Sequence, residues 1–279
     1  MVWRAMDGHP GILLVFEKTE LTLKKCAASS IGSLERHTNP RPKRENAVPQ
    51  NITHDNLRFL TPAAPLANLA MGYLEAMLAR ERNRATDLVM AALDGGAPIR
   101  DIYLQVLQPV QYEIGWLWQS GKITVGHEHY CTNATQLVMS LLYPRLFTGE
   151  VGAKRILATC VEGELHELGL RMLSDFFEMD GWNTDYLGAN TPQDAVVSAL
   201  EEKQADVLAI GATMHYHLEE VEKLIDAIRR SDQAKAVKIL VGGYTFSAVD
   251  NLWKQVGADG TARDADQAIT LANQLTEKG

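Results

Sequence analysis

Arg155-Ile156-Leu157-Ala158-Thr159-Cys160-Val161-Glu162-Gly163-Glu164-Leu165-His166-Glu167-Leu168-Gly169 is the stretch that decides the fold of the second half of this chain. The apolar run Ile156–Val161 has the length and character of a buried β-strand. Leu168 to Met179, just beyond, has helical spacing. His166 therefore falls at the carboxyl end of the first strand of an α/β unit, where open parallel sheets bind their ligands. Gly169, three residues on, lets the backbone pass close to whatever the imidazole touches.

Outward from this stretch, strands and helices alternate. Apolar runs recur at Asn183–Leu187, Val207–Ala212 and Lys238–Val241, with a weak last one near Gly260–Ala262. Helical patterns at Leu168–Met179, Thr191–Lys203, Leu218–Arg229 and Phe246–Val256 lie between them, and a final helix follows Asp264. Asn190-Thr191-Pro192 reads as an N-cap followed by a first-turn proline. Such alternation predicts a doubly wound, Rossmann-like parallel sheet.

The region before it has a different texture. Leu66–Glu81 carries an apolar stripe, and Arg84–Leu93 carries a second that stops at Asp94-Gly95-Gly96. Pro98 opens a third helix through Leu117, and Gly126–Leu146 forms a fourth. Four amphipathic helices with short connections predict an antiparallel bundle. The expected class is thus α plus α/β. Residues 1–58 read as a polar, loosely ordered extension, with a short strand at Ile12–Phe16 and a basic solvated arm at Arg41–Arg44. Residues 59–149 read as the bundle and 150–279 as the sheet domain, with the boundary near 147–153.

Composition bounds the function. With 279 residues, 46% hydrophobic and 22% charged, the chain is long enough for two ordinary globular domains. A net charge of −8 argues against nucleic acid or an anionic membrane as the main partner. No apolar run reaches the length of a membrane span. Cys26, Cys131 and Cys160 are odd in number and widely spaced, which points to neither a disulfide framework nor a zinc site, so a cytoplasmic location is expected.

A lone histidine at a strand end is more often structural than a ligand, but the neighbouring strand ends change its setting. Gly242-Gly243 closes one apolar run and Gly211-Ala212-Thr213 closes another, so two edges of small residues flank one imidazole. That describes a deep slot under a large planar metal cofactor. No Gly-x-Gly-x-x-Gly opens a helix and no Walker-type lysine is present, which disfavours the usual nucleotide folds.

These residues resemble the cobalamin-binding domain of methionine synthases and mutases, whose pattern is Asp-x-His-x-x-Gly, then Ser-x-Leu, then Gly-Gly. Here it stands as Glu164-x-His166-x-x-Gly169, Ala212-x-Met214 and Gly242-Gly243. The resemblance implies that His166 is the lower cobalt ligand, that Glu164 steers it through a hydrogen bond, and that the slot takes the nucleotide tail. Ala212 replaces the family's serine, and Thr213 offers a hydroxyl one residue on.

In the helical half, Trp118 followed by nine residues and then Glu128-His129 is similar to the signature of CarH-type cobalamin photoreceptors. In these, such residues cover the upper face of adenosylcobalamin, a cofactor whose cobalt–carbon bond light cleaves. The resemblance implies a light sensor whose output is a conformational or oligomeric change, with a homodimer and an unidentified downstream protein as partners. It lacks the DNA-binding helices of those repressors, so direct DNA binding is not expected. Gln119 also stands where they carry a histidine that ligates cobalt after illumination. Free-standing proteins of this design resemble the photocobilins, which implies a bilin such as biliverdin as a second chromophore. His127–Cys131, His215 and His217 are candidates to hold it, although His215 and His217 also read as exposed loop histidines. The alternative is a corrinoid carrier subunit of a methyltransferase system, which shares the same cobalamin domain behind a helical cap.

Overall fold

The computed structural model describes residues 57–146, 149 and 152–277. The expected strand at Ile12–Phe16 and the basic arm at Arg41–Arg44 lie outside them.

Four helices come first: α1 (Ala67–Leu78), α2 (Arg82–Asp94), a third that runs as α3 (Ile99–Ile102), one π-helical turn (Tyr103–Leu107) and α4 (Gln108–Gln119), and α5 (Val125–Leu142). Each exists because an apolar stripe finds a core. Tyr73, Leu74 and Met77 of α1 meet Val89 of α2, Val110 and Ile114 of α4, and Val138 and Met139 of α5 in one buried cluster. Thr124 caps α5 by accepting a hydrogen bond from the His127 N–H. Pro98 stands one position earlier than expected, as the extended residue before the third helix.

The second half is a five-stranded, all-parallel sheet: β1 (Arg155–Val161), β2 (Asn183–Thr191), β3 (Val207–Gly211), β4 (Lys238–Gly242) and β5 (Gly260–Thr261). The strand order is β2-β1-β3-β4-β5. Helices α6 (Leu168–Met179), α7 (Gln193–Lys203), α8 (Leu218–Arg230), α9 (Tyr244–Ala248), α10 (Leu252–Gln255) and α11 (Ala265–Thr276) complete it. The four-helix bundle and Rossmann-like sheet are the architecture expected.

The sheet's two faces are buried in different company. Ile156, Ala158, Cys160, Val207, Ala209 and Leu240 join the cluster that contains the bundle, α6 and α11. Leu157, Val161, Leu208, Ile210, Ile239 and Val241 face α7 and α8 instead. Strict alternation of this kind, apolar on both faces, is the mark of a covered parallel sheet. It also means that one apolar cluster runs unbroken from the bundle to one face of the sheet.

Two local expectations are corrected. Asn190 is not an N-cap: β2 continues to Thr191 and Pro192 directly precedes α7. Asn190 is instead left-handed, at φ 51°, and its side-chain oxygen accepts from the Gly163 N–H at 2.7 Å. The single helix expected over Phe246–Val256 is two short ones, broken where Asn251 turns left-handed at φ 59°.

Candidate functional site

The site forms beyond the carboxyl ends of β1 and β3, from which the chain leaves to opposite faces of the sheet. Gly211 pairs with Cys160 on one side and Gly242 on the other, so three strands end level. In this strand order the chain reverses direction of winding between β1 and β3, which opens a crevice beyond their carboxyl ends. His166 follows β1, Ala212 and Thr213 follow β3, and Gly243 follows β4; with Gly169 and Gly242 all of them line one cleft. Its other wall comes from the bundle, through Tyr103, Leu104, Gln108, Gln111 and Tyr112.

Gly243 is there for a steric reason. Its φ is +110°, and a Cβ on it would lie 2.3 Å from the carbonyl oxygen of Ala212. Gly242 is different, since a Cβ there would meet no atom within 4 Å. Side-chain space beside Gly242 is thus left open on the cleft wall.

Glu164 lies behind the cleft with no exposed surface. Its Oε1 accepts from His166 Nδ1 at 2.5 Å and from the His166 backbone N–H at 3.0 Å. Its Oε2 accepts from the backbone N–H groups of Thr213 at 2.7 Å and Met214 at 3.1 Å, and from His217 Nδ1 at 3.0 Å. Burial alone would raise the pKa of this carboxyl. The hydrogen bonds from the side chain and backbone of His166 and from Met214 outweigh it and hold the group far below the usual carboxylate range. An ionised carboxylate only accepts, so His166 carries its proton on Nδ1 and presents Nε2 as a lone-pair donor. That is the tautomer a metal ligand needs.

The next residue ties this loop to both halves. Glu167 Oε1 accepts from Gln136 of α5 at 2.9 Å, and its Oε2 accepts from the Tyr186 hydroxyl at 3.0 Å and the Ala189 N–H at 2.9 Å. Cys160 and Cys131 are buried thiols pushed up to about 12 by desolvation, so they stay protonated.

The upper-face residues expected from sequence are placed differently. Trp118 packs half-buried against the bundle core. His129 is exposed and its Nδ1 lies 2.6 Å from Glu128 Oε2. Glu128 Oε1 accepts from the Thr132 hydroxyl at 2.9 Å, and Gln111 Oε1, 3.4 Å from the same hydroxyl, is the weaker competing acceptor. These three residues do not line the cleft; Gln111 does, held also by its hydrogen bond to Thr135 at 2.6 Å. Sequence reading missed Gln108, Gln111 and Tyr112, although their i, i+3, i+4 spacing gives one face of α4. His217, expected as a bilin candidate or an exposed loop histidine, is instead buried against Glu164.

The residues present fit a corrinoid. The cleft offers one imidazole fixed at Nδ1 by Glu164, a glycine edge with space at Gly242, and a wall of small residues.

Comparison with known proteins agrees. Residues 154–270 match the B12 binding domain family, and residues 69–143 match a second family, also described as a B12 binding domain. The chain is a cobalamin-binding module. Among its relatives, a corrinoid protein of Desulfitobacterium hafniense (strain Y51) is 25% identical over 210 residues, covering 73% of this chain and 95% of the relative. Monomethylamine corrinoid protein 1 of Methanosarcina acetivorans is 28% identical over 192 residues, covering 66% and 87%. The solved structure of the Methanosarcina barkeri monomethylamine corrinoid protein shares the fold, with a TM-score of 0.66 at 21% identity, over 77% of this chain and all of that one.

These relatives overturn the light-sensing expectation. They are corrinoid proteins, two of them named for methylamines, and they span bundle and sheet together. The Trp118 and Glu128-His129 spacing that suggested a photoreceptor is a short signal, and it is outweighed by similarity along most of the chain. The relatives lend no support to the adenosyl form of the cofactor or to a bilin. No helix among the described residues is long and apolar enough to cross a membrane.

Proposed function

We propose that this chain is the corrinoid carrier of a methyltransferase system, a binding protein that presents its cofactor to partner enzymes rather than an enzyme itself. The observation that carries the reading is the similarity to corrinoid proteins over 95% and 87% of their length, joined to His166 held by Glu164 at the sheet crevice. When bound, cobalamin supplies a cobalt that accepts and gives up a methyl group.

The remaining work belongs to the chain. His166 would hold the cobalt from below through Nε2, and Glu164 fixes its tautomer and ring orientation. Gly169, Ala212, Thr213, Gly242 and Gly243 wall the slot for the nucleotide tail, and Met214 contributes its backbone N–H to Glu164. On the bundle side Gln108, Gln111 and Tyr112 line the opposite wall of the cleft and would face a bound corrinoid. Thr135 holds Gln111, while Glu128, His129 and Trp118 stand outside the cleft lining. A methyltransferase partner has to reach the same face, so bundle and sheet must part during the cycle. The contacts that release include polar pairs at the rim, Arg100 with Asp266, Arg171 with Ser140, Gln136 with Glu167 and Tyr143 with Glu178, together with the buried Tyr103–Asp175 hydrogen bond and the apolar packing around it.

The test is methylation of the bound corrinoid. Protein reconstituted with hydroxocobalamin and reduced with titanium(III) citrate is mixed with methylamines or methanol and soluble extract of the source cells. Donor-dependent loss of the reduced corrinoid absorption supports the carrier reading. Protein that binds corrinoid but stays reduced with every donor, while the extract methylates a known carrier, rules it out.

A further inference from the structure

The carboxylate of Glu164 holds two imidazoles, one on each oxygen. His166 takes Oε1 and His217 takes Oε2, at 2.5 and 3.0 Å from their Nδ1 atoms. The seat of His217 is built for it. The residue is 6% exposed, and the Tyr216 ring stands edge-on to it with centroids 4.3 Å apart. Gly163, at φ +81°, approaches so closely that a Cβ would lie 3.2 Å from His217 Nε2. A side chain larger than hydrogen at 163 would press directly on the imidazole. Meanwhile residue 212, at the end of β3, is an alanine and offers no hydroxyl, and among the described residues the side-chain donor recorded on Oε2 is His217.

We propose that His217 is a positioning residue for the cobalt ligand, a role that rests on the lower-ligand assignment of His166 made above. A carboxylate hydrogen-bonded to a ligating imidazole raises its basicity. The more its charge is shared with other donors, the less it draws on the ligand's N–H. His217 therefore tempers the pull of Glu164 on His166 Nδ1–H and sets how strongly Nε2 donates to cobalt.

Two substitutions separate this from packing. His217→Phe keeps an aromatic ring and removes the donor; His217→Asn keeps an N–H near the position of Nδ1. Each full-length protein, labelled with 15N-histidine and loaded with cob(II)alamin at pH 8, is measured by electron paramagnetic resonance, where 15N doublet splitting reports the fraction with histidine bound and 14N triplet splitting the fraction held by the cofactor's own base. His217→Phe is expected to raise the bound-to-unbound ratio about three- to tenfold, the worth of one hydrogen bond. The same change moves the Co(II)/Co(I) midpoint about 30–60 mV more negative. His217→Asn is expected to match the wild type in both. A Phe variant identical to wild type overturns the proposal, as does an Asn variant that shifts as far as Phe. Wild-type protein that binds corrinoid without the 15N doublet removes the His166 assignment itself, and the role of His217 with it.

Discussion

The hydroxyl of Tyr103 donates to the carboxylate of Asp175 at 2.6 Å, joining the π-helical turn of the bundle to helix α6 of the sheet domain inside the shared core. Burial pushes the Asp175 carboxyl up to about 6, against the opposing pull of the Tyr103 hydrogen bond and the Arg171 charge.

A pH dependence with a definite sign follows from that shift. The folded state holds the Asp175 proton more tightly than the unfolded state, so stability is fullest below about pH 4 on this account and falls as pH rises through about 6. The loss amounts to roughly 3 kcal/mol at pH 8. Asp175→Asn keeps an acceptor for Tyr103 and removes the charge. Urea unfolding of this variant between pH 4 and 8 should show a gain over wild type that grows with pH and levels off above 7. A constant difference across that range would mean that Asp175 does not titrate in it.

The two adjacent glycines at the end of β4 should behave oppositely. Gly243→Ala forces a Cβ against the Ala212 carbonyl in a left-handed backbone, and should destabilise by about 2–3 kcal/mol or more. Gly242→Ala meets no atom of the described residues within 4 Å, so its melting temperature should stay close to wild type while corrinoid affinity drops. Thermal melts of both apoproteins, followed by hydroxocobalamin titration, check the pair.

Glu164→Gln tests the carboxylate itself. The charge holds donors on both oxygens, and its folded pKa lies below the unfolded value. Its stabilising contribution is therefore present above about pH 4.5 and lost as pH falls further. The variant should lose roughly 3 kcal/mol at pH 7 and show a flatter acid limb in unfolding. Corrinoid affinity should fall about 10- to 100-fold, read by equilibrium dialysis.

How much of this was visible in the chain of letters depended on whether the cause was local. Helix α6 begins and ends at Leu168 and Met179 as its spacing predicts, and β1 is a strand because every residue from Ile156 to Val161 is apolar or small enough to be buried. His166, Gly169, Ala212, Thr213, Gly242 and Gly243 converge because parallel strands end together. What was hidden had distant causes. His217 reads as a loop histidine until Glu164, 53 positions earlier, is placed against it. The tail of β2 is polar, and its path over Gly188 and Ala189 is held by the Glu167 carboxylate. The short Trp118 and Glu128-His129 pattern misdirected function because it was weighed without the similarity of the whole chain.

The π-helical turn at Tyr103–Leu107 has one more effect, on the aim of the helix beyond it. Such a turn accommodates one residue more than regular helix would, and each residue advances a helix by about 100°. Gln108, Gln111 and Tyr112 therefore face the cleft in a phase set by the extra residue upstream. Deleting one residue from this turn would straighten the ladder of hydrogen bonds and swing that trio about 100° away, turning the bundle's cofactor-facing wall into a different surface without altering any residue in the wall.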